Sequence, residues 1–187
     1  MLLGCASAVT AHLAVLYTGG ADPLSTPVGA LSLGVDGTLH GLGLSLFAMA
    51  QVALAFLIGR PAAGWPTRAA QGLLVADALL TVHLAHRFAS VPAEVQRGLF
   101  AVDSLALLAS GTGLIMSFAA PGLFRRRRQA GLWNIACLAL WIALMPLALL
   151  VDESWLGAYE RLVGTVFVAW MVGLAVLLGF MAPPPAR

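Results

Sequence analysis

The sequence predicts an all-α polytopic membrane protein: six transmembrane helices in one bundle, with both termini on the cytoplasmic side. Three observations predict it. Of 187 residues, 60% are hydrophobic and 10% charged, whereas soluble domains carry about 25% charged residues. The apolar residues fall into six runs, each close to the ~20 residues that a membrane-spanning helix needs. The arginines, finally, divide unevenly between alternate loops. Residues 1–187 are used up by these runs and their short connections, so one six-helix domain is expected and no sizeable aqueous one.

The runs lie at about 2–18, 38–59, 69–88, 98–120, 131–151 and 161–181. Gly19-Gly20 closes the first and Arg60-Pro61 the second, and Pro92 separates the third from the fourth. Pro121-Gly122 and the arginines after it close the fourth, Asp152-Glu153 the fifth, and Pro183-Pro184-Pro185 the sixth. In hydrocarbon the backbone must satisfy its own polar groups, which leaves helices or closed barrels. Runs this long without strict alternation are helices. Pro146, inside the fifth run, is expected to kink that helix and not to end it. Small residues within the runs (Gly41, Gly43, Ala109, Gly111, Gly113, Gly164 and Gly173) suit close helix approach. No internal repeat suggests inverted halves. Leu2-Leu3-Gly4-Cys5 looks like a lipoprotein box, but no basic stretch and no apolar stretch precede it, so the first run reads as a retained helix. Cys5 and Cys137 fall inside apolar runs and read as small core residues, not as a disulfide framework.

All ten basic residues are Arg. Arg60 and Arg68 lie in the second loop, Arg125, Arg126, Arg127 and Arg128 in the fourth, and Arg187 at the C-terminus. The opposite loops hold Arg87, Arg97 and Arg161, together with Asp22, Asp36, Glu94, Asp152, Glu153 and Glu160. Cytoplasmic loops carry the excess of basic residues, so seven arginines against three place both termini inside. Tyr17, Trp155 and Tyr159 at the outer ends, with Trp65 and Trp133 at the inner, read as interfacial belts.

Ionisable groups inside spans cost on the order of 3 kcal/mol on insertion scales and call for a functional hypothesis. His12, His40, His83, His86 and Asp103 all fall at the outer depth, and Glu160 and Arg161 reach it at the start of the sixth span. Three readings of this outer polar cluster stand side by side. The histidines sit at the interface or bridge helices; they line a small-molecule pocket; or they ligate haem or a transition metal, His83 and His86 first, because neutral imidazoles are ligands for these. Asp103 is placed to orient an imidazole of the preceding helix or titrate beside it. Asp77 lies near the midplane. It is expected to pair with another helix through Gln51, Ser110, Thr112 or Asn134, or to stay protonated; a proton-relay or substrate role is the alternative. Arg125–Arg128 read as a cytoplasmic anchor on anionic headgroups, with an acidic cytoplasmic partner as the alternative.

No phosphate-cradling glycine motif and no nucleophile elbow is present. Nucleic-acid binding would need basic and aromatic surface outside the membrane, and the largest basic loop is four arginines.

Two short elements point to a family. The first loop, Asp22-Pro23-Leu24-Ser25-Thr26-Pro27-Val28-Gly29-Ala30-Leu31, resembles the D-P-x-x-x-P-[VI]-S-x-L stretch of a prokaryotic six-helix membrane family, domain of unknown function 998. Trp155-Leu156-Gly157-Ala158-Tyr159-Glu160-Arg161-Leu162 is similar to its G-L-x-[QE]-R-L element. The span spacing resembles the family's over nearly the whole chain. Gly29 departs from the family's Ser, and the family's Thr-Asp pair at the end of span three and His at the start of span four have no counterpart here. The resemblance implies six helices and an outer polar patch; it supplies no activity.

The expected location is a prokaryotic cytoplasmic membrane, with the lipid bilayer and another membrane or cytoplasmic protein as partners and no nucleic acid. The scarcity of soluble chain and of catalytic motifs favours a non-enzymatic sensor, assembly or regulatory factor. A small intramembrane enzyme or haem or metal protein using the outer histidines is one alternative. A carrier for a lipid or small apolar molecule, with Asp77 on its path, is the other.

Overall fold

A computed structural model describes residues 1–26, 28, 31, 37–59, 64–90 and 100–180. Among them are six α-helices: α1 (Leu2–Thr18), α2 (Gly37–Ile58), α3 (Trp65–Ser90), α4 (Phe100–Arg126), α5 (Arg128–Leu144) and α6 (Leu156–Ala175). The turns expected at Arg60-Pro61, Pro92 and Pro183-Pro184-Pro185 lie outside the described residues.

Two prolines behave differently from expectation. Of the terminators expected for the fourth run, the arginines end it and Pro121-Gly122 do not: α4 continues to Arg126 through Pro121. The segment beyond it is held by packing, because Leu123 is buried in the core and Gly122 lies directly on the side chain of Thr67 in α3. Pro146 does more than kink the fifth run. The α-helix stops at Leu144 and a 3-10 turn, Met145–Leu149, carries the chain on, with the proline near its start, where its missing N–H costs no bond. Between α4 and α5 the break is one residue, Arg127, in extended conformation (φ −162°, ψ 117°).

The contacts between helices fix an up-and-down order. Gly43 of α2 sits against Ala11 of α1, where an added Cβ would come within 2.7 Å of the alanine's own, and Gly4 sits against Leu46 and Ala50. Gln51 meets Asp77 across α2 and α3. Asn134 of α5 reaches Met116 of α4, and Trp170 of α6 reaches Asn134. Gly4 with Ala50 and Ala11 with Gly43 set α1 against α2; Gln71, early in α3, donates to Ala55 O, late in α2; Gly122, late in α4, meets Thr67, early in α3; Gly131, early in α5, meets Phe124, late in α4. With Trp170, late in α6, on Asn134 in the first half of α5, consecutive helices run antiparallel, and α6 also packs on α1 and α2. One end of the bundle therefore gathers the end of α1, the start of α2 and the start of α6 (the loop end). The other gathers the ends of α2 and α6 and the α4–α5 turn (the arginine end). Of the glycines expected to permit close approach, Gly43 and Gly173 do so, the latter beneath Trp133, whereas Gly41 and Gly164 face open space.

The core draws on all six helices, with Cys5, Leu54, Leu74, Ile115, Trp141 and Trp170 in one buried cluster. Both cysteines are buried and free. Outside, large apolar side chains stand uncovered: Phe56 is 76% exposed, Leu79 67% and Ile142 60%. Such a surface would be a liability in water and costs nothing against lipid tails. Among the described residues, Thr38–Ile58, Arg128–Leu149 and Leu156–Gly179 are long and apolar enough to cross a membrane by length and composition, and Leu2–Thr18 is apolar but shorter. The chain has the make-up of a membrane protein.

Candidate functional site

The loop end is organised by a turn that begins at Asp22. Its Oδ1 accepts the Leu24 N–H (3.1 Å), and its Oδ2 accepts the Ser25 N–H (3.3 Å) and the Ser25 hydroxyl (2.5 Å). The Thr26 N–H closes on the Asp22 carbonyl at 2.9 Å. An aspartate that bonds the backbone two residues on is a turn former in its own right. The Ser25 hydroxyl first, and the Leu24 N–H second, hold the Asp22 carboxyl below the usual carboxylate range.

This turn aims its carbonyls at the first turn of α6, where helix geometry leaves N–H groups without partners. Ala158 N–H donates to Leu24 O at 2.9 Å. Arg161 Nη1 donates to Pro23 O at 2.8 Å and to Thr26 O at 2.9 Å. Glu160 Oε2 accepts the Val28 N–H at 2.5 Å. The segment approaches α6 so closely that a Cβ on Gly157 would run into Thr26 O and, at 2.9 Å, Leu24 O. Two stretches more than 130 positions apart thus form one clamp, and they are the two stretches that carry the family resemblance.

Arg161 also faces inward. Its Nε donates to Nε2 of His12 at 3.1 Å, so that imidazole nitrogen is an acceptor and carries no proton. The His12 and His40 rings lie 5.6 Å apart, tilted by 52°, and His40 is buried beside the backbone of Val28. Of the seven residues grouped by depth in the sequence, the fold brings His12, His40, Glu160 and Arg161 together from α1, α2 and α6. His83 is exposed on α3. The side chains of His86 and Asp103 lie outside the described residues. Among the described residues no group of three or more His, Cys, Asp or Glu could hold a metal, and His12 Nε2 is already taken by Arg161.

In mid-bundle, Gln51 Nε2 donates to Asp77 Oδ2 at 2.7 Å, both side chains buried. Of the partners available to Asp77, Ser110 is exposed, and Asn134 is engaged elsewhere. Asn134 Nδ2 donates to Met116 O (2.9 Å), while its Oδ1 accepts Trp170 Nε1–H (2.8 Å). That second node ties α4, α5 and α6 together. Trp170 carries no sequence signal that would distinguish it from any interfacial tryptophan.

At the arginine end the four consecutive arginines divide into two kinds. Arg126 Nη1 donates to Leu57 O, in the last turn of α2, and Arg127 Nη1 donates to Leu177 O, just beyond α6, at 2.7 Å. Basic groups on terminal carbonyls satisfy helix ends and complement their dipoles. Arg125 and Arg128 are exposed. Arg126 and Arg127, expected on headgroups with the other two, are instead drawn in by helix-end carbonyls.

Comparison with protein-family models, with curated proteins and with solved structures returns no match. What the fold and its polar groups define is a helical membrane-type bundle, clamped at one end by a loop and at the other by arginines.

Proposed function

We propose that the chain is a multi-pass protein of a prokaryotic cytoplasmic membrane, crossing it six times with both termini inside. We propose further that it is a non-enzymatic sensor, assembly or regulatory factor that holds a partner at the membrane. The observation that carries this reading is the clamp at the loop end. Glu160 accepts the Val28 N–H, and Arg161 gives Nη1 to the carbonyls of Pro23 and Thr26 and Nε to His12, its Nη2 being buried without a partner among the described residues. Ionic groups used in this way hold a loop in one shape, which is what a protein partner reads.

The antiparallel order supports the topology, since it gathers Arg125–Arg128 with the ends of α2 and α6 on one face, the face that the positive-inside rule makes cytoplasmic. The clamp then faces outward. Kinship with the family of domain of unknown function 998 is part of the proposal and rests on the two docked motifs.

Gentle solubilisation and affinity capture of the full chain tests the reading. The wild-type protein is expected to bring down a defined partner, and Arg161→Ala, folded but unclamped, is expected to lose it. Wild type that comes down alone, or with the absorption spectrum of haem, contradicts the reading. Reporter fusions after Arg187 and in the Glu94 loop are expected on opposite sides; the same side for both contradicts the topology. The second reading, a carrier for a lipid or small apolar molecule, is favoured by the buried Asp77, and uptake that depends on Asp77 would replace the first.

A further inference from the structure

Gln51 is wholly buried, and its side-chain carbonyl Oε1 has no hydrogen-bond partner among the described residues, although its amide nitrogen donates to Asp77 Oδ2 at 2.7 Å. A primary amide has two donors and a carbonyl acceptor, and an ionised carboxylate only accepts. Asp77 as a carboxylate therefore serves the nitrogen of Gln51 and can never serve its oxygen. An unsatisfied buried acceptor costs about 1–3 kcal/mol.

Charge points the same way. On α2 the only ionisable side chain is His40, at the loop end. On α4, no residue from Ser104 to Phe124 is ionisable. Where Asp77 meets α4 the residue is Gly111, on which an added Cβ would stand 3.9 Å from Asp77 Oδ1, so that position offers the carboxyl no side chain. On α3 itself, Arg68, His86 and Arg87 lie nine residues or more from Asp77, and His83, six residues on, is exposed. Thr81 is on the same face, but its hydroxyl donates to the Asp77 backbone carbonyl, not to the carboxyl. A carboxylate here would be a buried charge with no counter-charge among the described residues, and such groups neutralise instead.

We propose that Asp77 and Gln51 form a proton-binding site: Asp77 is the neutral carboxylic acid, accepting from the Gln51 amide at one oxygen and donating its proton to Gln51 Oε1 from the other. One proton added to the carboxylate supplies the donor that Oε1 lacks and removes the uncompensated charge. The closed acid–amide pair links α2 to α3 in mid-bundle. The pair is independent of the clamp and of the partner reading, which would stand or fall without it.

Infrared spectroscopy of the purified full chain at neutral pH tests it. The expected result is a carboxylic-acid C=O band that disappears in Asp77→Asn and shifts in Gln51→Leu, where the acid loses its partner. Asp77→Asn offers Gln51 both an acceptor and a donor, so it is expected to melt no lower than wild type, which separates loss of the band from loss of the fold. Wild type is also expected to lose stability at alkaline pH, and Asp77→Asn is not. A wild-type minus Asp77→Asn difference spectrum with carboxylate bands and no acid band overturns the proposal. In that case melting that depends on sodium identifies a bound cation in place of the proton, and sodium independence identifies a bare carboxylate.

Discussion

Arg161 and His12 stand 149 positions apart in the chain and meet over 3.1 Å, guanidinium Nε donating to imidazole Nε2. The same guanidinium holds the carbonyls of Pro23 and Thr26. One side chain therefore joins the last helix to the first and to the loop that follows it. A planar fork with several donors in fixed directions can do this; a lysine ammonium cannot reproduce it.

Arg161→Ala is expected to lower stability by roughly 2 kcal/mol, since hydrogen bonds to charged groups contribute about 1.5–3 kcal/mol each and this one is partly open to solvent. Arg161→Lys is expected to recover little of it. Thermal unfolding in detergent measures the loss, and limited proteolysis should place new cleavage within residues 22–26. An unaltered melting temperature in both variants would remove the clamp from the account.

Asp22 gives the loop a pH dependence of known sign. Its folded carboxyl is held below the ordinary value, mainly by the Ser25 hydroxyl. The stabilisation is thus complete above the ordinary carboxylate range and is lost as pH falls through that range towards the lowered folded value. Ser25→Ala removes the largest cause, so the loop should become protease-sensitive at a higher pH than in wild type. Identical pH profiles for the two chains would contradict this.

At the opposite end, Arg126→Ala and Arg127→Ala are each expected to cost roughly 1.5–3 kcal/mol, the range for hydrogen bonds of charged groups, because each uncaps a helix carbonyl. Arg125→Ala and Arg128→Ala should leave the melting temperature unchanged, their side chains being exposed. Equal effects at all four positions would return the run to a pure headgroup anchor.

Asp77→Asn is expected to accumulate nearly as wild type, and Asp77→Leu markedly less. A hydrogen bond between membrane helices contributes roughly 0.5–2 kcal/mol, and leucine also leaves the Gln51 amide nitrogen without its acceptor. Accumulation measured by quantitative blotting, with both variants equal, would mean that the contact between Asp77 and Gln51 contributes nothing.

The apolar runs were legible because hydrocarbon demands long unbroken stretches of them: the first two helices, Leu2–Thr18 and Gly37–Ile58, begin and end within a residue or so of the runs at 2–18 and 38–59. That His12, His40, Glu160 and Arg161 gather at one end was legible as well, since in an up-and-down bundle position along a helix sets the end at which a residue lies. Which of the equally deep groups meet was not, because that depends on how each helix turns about its axis, and weakly amphipathic helices do not encode that in spacing; His83 is exposed for this reason. Pro121 reads locally as a terminator and is overruled by the burial of Leu123 and the fit of Gly122 on Thr67. The capping by Arg126 and Arg127 was hidden in a run whose composition alone says only basic. The Asp22–Ser25 spacing was a turn signal available in the sequence.

The docking of the first loop on the start of α6 is tested most directly by a cross-link. Leu24 and Ala158 are joined by a backbone hydrogen bond of 2.9 Å, so Leu24→Cys with Ala158→Cys, in a chain carrying Cys5→Ala and Cys137→Ala, should form a disulfide when membranes are oxidised. An intramolecular cross-link is expected in most of the protein, and its loss when Arg161→Ala is added. No cross-link in the otherwise wild-type chain, with the bundle still folded, would contradict it.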